Sequence, residues 1–285
     1  MRSTVRSIGL EVKSMRDLDE ILGEVRGRIA KACARVGRSS DEVEIVAVTK
    51  THGVETVDEA WRAGLGIVGE NKVQEAAWKK PASMSGPQWH LIGHLQGNKV
   101  RKALELFDFF HSVDTVALAD RMNAIAADIG AQPHVLLEVN VSGEKSKSGM
   151  RPEDVEQTVR HILTACPRLT VEGLMTMAPF SENPEDARPY FRKLRELRDT
   201  VEKSLGVGLP RLSMGMSGDY EVAVEEGATW VRLGTVLFGE RPKIGKRTEG
   251  SGTREGASGG DSDNYAGFGG LDSYNGAGPT VRVLD

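Results

Sequence analysis

"EIVAVTK", residues 44–50, decides how this chain is read. Its run of isoleucine, valine and alanine marks a buried strand. Yet it closes on Lys50, one of the residue types least often buried. Two questions follow: what repeats this strand along the chain, and what waits at its tip for an amine.

Seven further apolar runs answer the first. They are GIVGE (66–70), QWHLIGH (88–94), FFHSVD (109–114), HVLLEVNVS (134–142), TVEGLMTMA (170–178), RLSMGMS (211–217) and WVRLGTVLFG (230–239). Amphipathic stretches separate them, among them VETVDEAWRAG, TVALADRMNAIAADIG and EDVEQTVRHILTAC. Eight strand–helix units favour an α/β fold of the (β/α)8 or TIM-barrel kind. A doubly wound sheet is the runner-up, but no Gly-rich fingerprint follows the first strand. Ahead of that strand, Leu18, Ile21, Leu22, Val25, Ile29, Ala32 and Val36 recur at helical spacing, which predicts an extra N-terminal helix capping the barrel's N-terminal side. Residues 1–242 therefore form the barrel domain. Residues 243–285, rich in Gly, Ser and Asp with no apolar period, are expected to be a disordered tail.

Composition narrows the partners. A net charge of -4 gives no general attraction to nucleic acid, and no stretch has the length of a membrane span. Cys33 and Cys166 lie far apart without metal-binding spacing, so small buried thiols in a reducing, cytoplasmic compartment are expected. His90 and His94 fall on a strand and its end rather than on one helix face, and no metal site is expected.

In such a barrel the chemistry gathers where the strands end. Loops after strands seven and eight are the usual phosphate cradle. Here they offer the Ser213 and Ser217 hydroxyls, the backbone around Gly234 and the Thr235 hydroxyl. Closure makes strands one and eight neighbours, so Lys50 and Arg232 can face one ligand. An amine disfavoured by burial and opposed by Arg232 becomes a nucleophile, suited to an aldehyde that carries a phosphate, above all pyridoxal 5'-phosphate (PLP). A plainer reading has Lys50 snorkelling to water or pairing with Glu70. Met175, Met177, Met214 and Met216 read as packing. Lys145 and Lys147, on a Gly- and Ser-rich loop, suggest a mobile gate.

The motifs VAVTK, GENKVQE, WHLIGHLQGNK, HSVD, VNVSGEKSKSGM, GLMTMAP and LSMGMSGDYEVAVEEGATWVRLGTVLFGER closely resemble, in order, the pyridoxal phosphate homeostasis protein family. The resemblance runs from the first helix to Arg241. It implies a PLP fold-type III barrel with the cofactor held as an imine on Lys50. It also implies phosphate contacts from Ser213, Ser217, Gly234 and Thr235, Arg232 near the pyridine nitrogen, and Asn71 lining the cofactor. An arginine there only donates, so the ring would be a weak electron sink. Alanine racemases, which this barrel resembles, add a tyrosine-bearing β-domain that has no counterpart after Arg241. The resemblance therefore implies a non-catalytic role, binding and buffering PLP and delivering it to apo-PLP enzymes, and without that second domain a monomer is the default expectation. A weakly active amino-acid racemase is the alternative.

Overall fold

The computed structural model describes residues 17–144 and 148–239. The expected tail and the Lys145/Lys147 loop lie outside the described residues. Eight parallel strands close into a barrel in chain order: β1 (Glu44–Val48), β2 (Ile67–Glu70), β3 (Gln88–Leu91), β4 (Phe109–Val113), β5 (His134–Glu138), β6 (Thr170–Met175), β7 (Arg211–Met216) and β8 (Trp230–Leu233). Closure is made by β1 against β8, with Val46 opposite Arg232 and Ala47 opposite Leu233.

The strands alternate strictly enough to build two cores. Ile45 and Ala47 face the helices and join the large outer core. Val46 and Val48 face the lumen and pack with Ile67, Ile92, Leu136, Met175 and Trp230. The same parity directs Lys50 inward. The methionines divide on this basis: Met175 fills the lumen, Met214 belongs to the outer core, and Met177 and Met216 emerge at the barrel mouth.

Seven helices alternate with the strands: α2 (Val54–Arg62), α3 (Val73–Ala82), α4 (Val100–Leu106), α5 (Val116–Ile129), α6 (Val155–Ala165), α7 (Arg188–Leu205) and α8 (Tyr220–Glu225). Strands are shorter than their apolar runs because the chain turns at the mouth. After β5, Asn140 ends the strand by accepting from the Ser142 hydroxyl and the Gly143 N–H while donating to the Glu144 carbonyl. Residues 235–238, read from sequence as the end of strand eight, form a one-turn helix, α9 (Thr235–Phe238).

That short helix explains the placement of α1 (Leu18–Arg35). Instead of capping the barrel's N-terminal side, α1 packs beside α8 and α9. Four residues of α9 cannot cover the outer face near β8 and β1. Leu18, Leu22, Val25, Ile29, Ala32 and Cys33 of α1 are buried there instead, each large aliphatic side chain worth roughly 1.5–3 kcal/mol. The Asp17 side chain caps the helix start by accepting from the Asp19 N–H. Among the described residues no helix is long and apolar enough to cross a membrane.

Candidate functional site

The strand ends surround a cavity of about 550 Å³. Six of the seven residues expected from sequence line it together: Lys50 after β1, Asn71 after β2, Ser217 after β7, Arg232 on β8, and Gly234 and Thr235 at the start of α9. Ser213 does not.

Two loops meet at one end of the cavity. Ser217 Oγ accepts the Val236 N–H at 3.2 Å, tying the loop after β7 to the first turn of α9. This uses an acceptor lone pair and leaves the hydroxyl hydrogen to donate elsewhere. Early N–H groups of a helix have no acceptor within it, and the Thr235 hydroxyl stands beside them. A Cβ built on Gly234 would approach the Val48 carbonyl oxygen at 3.3 Å, while one on Gly218 would meet nothing within 4 Å. The result is a donor-lined cradle with open space before it, chemistry suited to a phosphate.

Below it, Arg232 is locked in place. One Nη donates to Ser213 Oγ at 2.7 Å and the other to the Thr176 carbonyl at 2.9 Å. Ser213 Oγ also lies 2.9 Å from His111 Nδ1, and His111 Nε2 lies 2.9 Å from His90 Nδ1. Ser213 is therefore an interior partner of Arg232 and His111 and stands apart from the cavity lining. Burial, followed by repulsion from Arg211, holds His90 down to about 3. Burial also keeps His111 well below its usual range, with His90 and Arg232 adding to it. With both rings neutral, Ser213 can pass its hydrogen to His111 and His111 can donate to His90. Burial lowers Arg232 to about 10 against the pull of Asp219 and Glu138, so the guanidinium stays cationic at neutral pH.

Around Lys50 the plainer pairing with Glu70 does not occur. Glu70 Oε1 accepts instead from Lys79 Nζ and from the Thr49 hydroxyl, both at 2.7 Å. His94 sits 3.4 Å from Asp114 at the cavity wall, and His90 points into the lumen, so the two histidines do not converge on a metal.

Two acids also stand in the cavity wall, Glu138 and Asp219. Glu138 is buried at the end of β5; its alternation with Val135, Leu137 and Val139 signals an inward face, but not its depth. Burial, with Asp114 adding repulsion, pushes Glu138 up to about 7. Asp219 accepts the Met216 N–H at 2.6 Å, which folds the loop after β7 back on itself, and burial raises its pKa.

Comparison with known proteins gives a consistent picture. The family model "Alanine racemase, N-terminal domain" matches residues 22–242. A pyridoxal phosphate homeostasis protein of Aquifex aeolicus is 47% identical over 223 residues, covering 78% of this chain and 97% of that protein. The pyridoxal phosphate homeostasis protein of Pseudomonas aeruginosa is 42% identical, with 80% of this chain and 97% of the relative covered. Among solved structures, PipY of Synechococcus elongatus PCC7942 with PLP bound superimposes with a TM-score of 0.68 at 36% identity, covering 78% of this chain and all of PipY.

Proposed function

This chain belongs to the pyridoxal phosphate homeostasis protein family, and we propose that its barrel mouth holds PLP for cofactor balance rather than for turnover of an amino acid. One observation carries the proposal. A lysine in the turn after the first strand and a donor-lined cradle after the last two strands open into one cavity. The residues fit the group. Ser217, Thr235 and the backbone at Gly234 would take the phosphate, Lys50 would take the aldehyde, and Asn71 would line the ring. When bound, PLP supplies a reactive aldehyde and an electron-withdrawing ring. Arg232, fixed by Ser213 and Thr176, presents only N–H donors toward that ring. A donor cannot hold a proton on the pyridine nitrogen, and this supports storage over carbanion chemistry.

The same proposal has the protein act as a monomer in the cytoplasm, with function resident in residues 1–242 and PLP passed on to apo-enzymes that need it. The two cysteines, both free and buried, suit a reducing compartment.

The test uses the full chain. Titration with PLP should raise a visible absorption band, borohydride reduction should fix the cofactor on the peptide containing Lys50, and Lys50→Ala should abolish both. A band of full strength in Lys50→Ala would overturn the proposal. Incubation with L-alanine should yield no D-alanine at enzymatic rates; such a product would establish the racemase alternative.

A further inference from the structure

Lys50 is flanked by two residues that are both held from the same buried charge cluster. On its N-terminal side, the Thr49 carbonyl accepts from Lys79 Nζ at 2.9 Å and the Thr49 hydroxyl donates to Glu70 at 2.7 Å. On its C-terminal side, the Thr51 N–H donates to Glu75 Oε2 at 3.2 Å. Lys79 joins the two carboxylates, 2.7 Å from Glu70 and 3.6 Å from Glu75, with no exposure of its own side chain. Thr51 meanwhile adopts a φ of 68°, the only left-handed non-glycine residue among those described. A β-branched side chain in that region is strained and persists only when its surroundings impose it.

We propose that Glu70, Glu75 and Lys79 form a clamp that forces the Thr49–Thr51 turn and thereby aims the Lys50 amine at the cofactor's aldehyde. These are positioning residues: α3 and β2 present them behind the turn, and Glu70, Glu75 and Lys79 do not line the cavity. The inference deepens the PLP-binding reading and rests on it.

The clamp explains three features that packing leaves unexplained. A fully buried lysine is costly unless paired and hydrogen-bonded, and here both conditions are met by groups beside Lys50. Glu70 Oε2 is buried without a donor, and a proton on Glu70 would relieve this by giving that carboxyl a hydrogen to share with Glu75. Burial, then contact with Glu75, pushes Glu70 up to about 7, consistent with that proton. The strain at Thr51 then has a use, because it directs the residue before it. Attachment joins the Lys50 nitrogen to the aldehyde carbon through the amine's lone pair, with the carbonyl oxygen and the nitrogen's two hydrogens leaving as water. Its rate depends on how the amine is aimed.

Glu75 is partly exposed at the edge of the cluster, so Glu75→Ala should fold. Pyridoxamine phosphate, which has no aldehyde, probes the cavity without needing the amine. In Glu75→Ala the visible band should form about tenfold more slowly or worse. Pyridoxamine phosphate affinity should be little changed, and hydrogen exchange of the peptide containing Thr51 should quicken in the ligand-free protein. Glu75→Gln keeps an acceptor oxygen and should restore most of the rate. Band formation at the wild-type rate in Glu75→Ala would overturn the clamp. So would a parallel loss of pyridoxamine phosphate binding, because the cluster would then support the whole cavity. If wild-type protein itself left no cofactor on Lys50 after borohydride, the PLP proposal would fail, while faster exchange at Thr51 would still report the clamp's hold on the turn.

Discussion

Arg232 Nη1 donates to Ser213 Oγ at 2.7 Å inside the barrel, whereas Ser217 stands at the cavity wall. The two serines stand four residues apart, Ser213 within β7 and Ser217 in the loop that follows it. One fixes a cation and the other faces the cavity. This division of labour sets the first expected outcome. Ser213→Ala removes the acceptor of a buried guanidinium and a partner of His111, so the variant should lose roughly 1–3 kcal/mol of stability. Urea denaturation measures that loss, and calorimetric affinity for inorganic phosphate should stay near wild type. A large drop in phosphate affinity with unchanged stability would return Ser213 to the anion site.

Glu138 makes the stability of the ligand-free protein fall as pH rises from the acid range to neutrality. Its folded pKa of about 7 lies above the ordinary value of 4.5. Between those values the folded state keeps a proton that the unfolded chain has released. The stability contribution is therefore complete below about 4.5, falls as pH rises through about 7, and then levels off. Glu138→Gln resembles the protonated form and should flatten this fall. The variant should match wild type near pH 4.5 and exceed it at pH 8 by on the order of 2–3 kcal/mol in phosphate-free urea titrations. Parallel stability profiles for the two proteins would refute the assignment.

Asp219 places a carboxyl beside the proposed phosphate cradle while also fastening the Met216 N–H. Asp219→Asn keeps an acceptor oxygen for that bond and removes a like charge from the anion's neighbourhood. Affinity for inorganic phosphate should rise about tenfold, equivalent to about 1.4 kcal/mol. The gain should shrink as salt is added if the effect is electrostatic. Weaker phosphate binding in this variant would place the anion elsewhere in the cavity.

Much of the architecture was legible because strand parity is local. Val46 and Val48 announce the lumen face that carries Lys50, and the recurrence of such runs announces a barrel. The ends of the strands were less legible. Hydrophobicity continues through Val236, Leu237 and Phe238, yet the backbone there has already turned into α9. The placement of α1 was missed for a related reason: an amphipathic pattern records that one face is buried, but not against what. Its place beside α8 and α9 follows from the shortness of α9, which only the folded chain reveals.

The site divides in the same way. Sequence alone placed Lys50, Asn71, Ser217, Gly234 and Thr235 at strand ends and Arg232 in the body of strand eight, because periodicity and turn chemistry depend on near neighbours. Depth and pairing were decided by tertiary structure. The pairing of β7 with β8 shifts register between Ser213 and Met216, and this helps to leave Ser213 in the lumen with Ser217 at the rim. The attachment of Glu70 and Glu75 to the residues on either side of Lys50 likewise depends on distant segments. Such contacts join residues 9 to 102 positions apart, such as Glu70 with Lys79 and His111 with Ser213. No local pattern encodes them, since burial, register and hydrogen-bond satisfaction are settled only when the barrel closes.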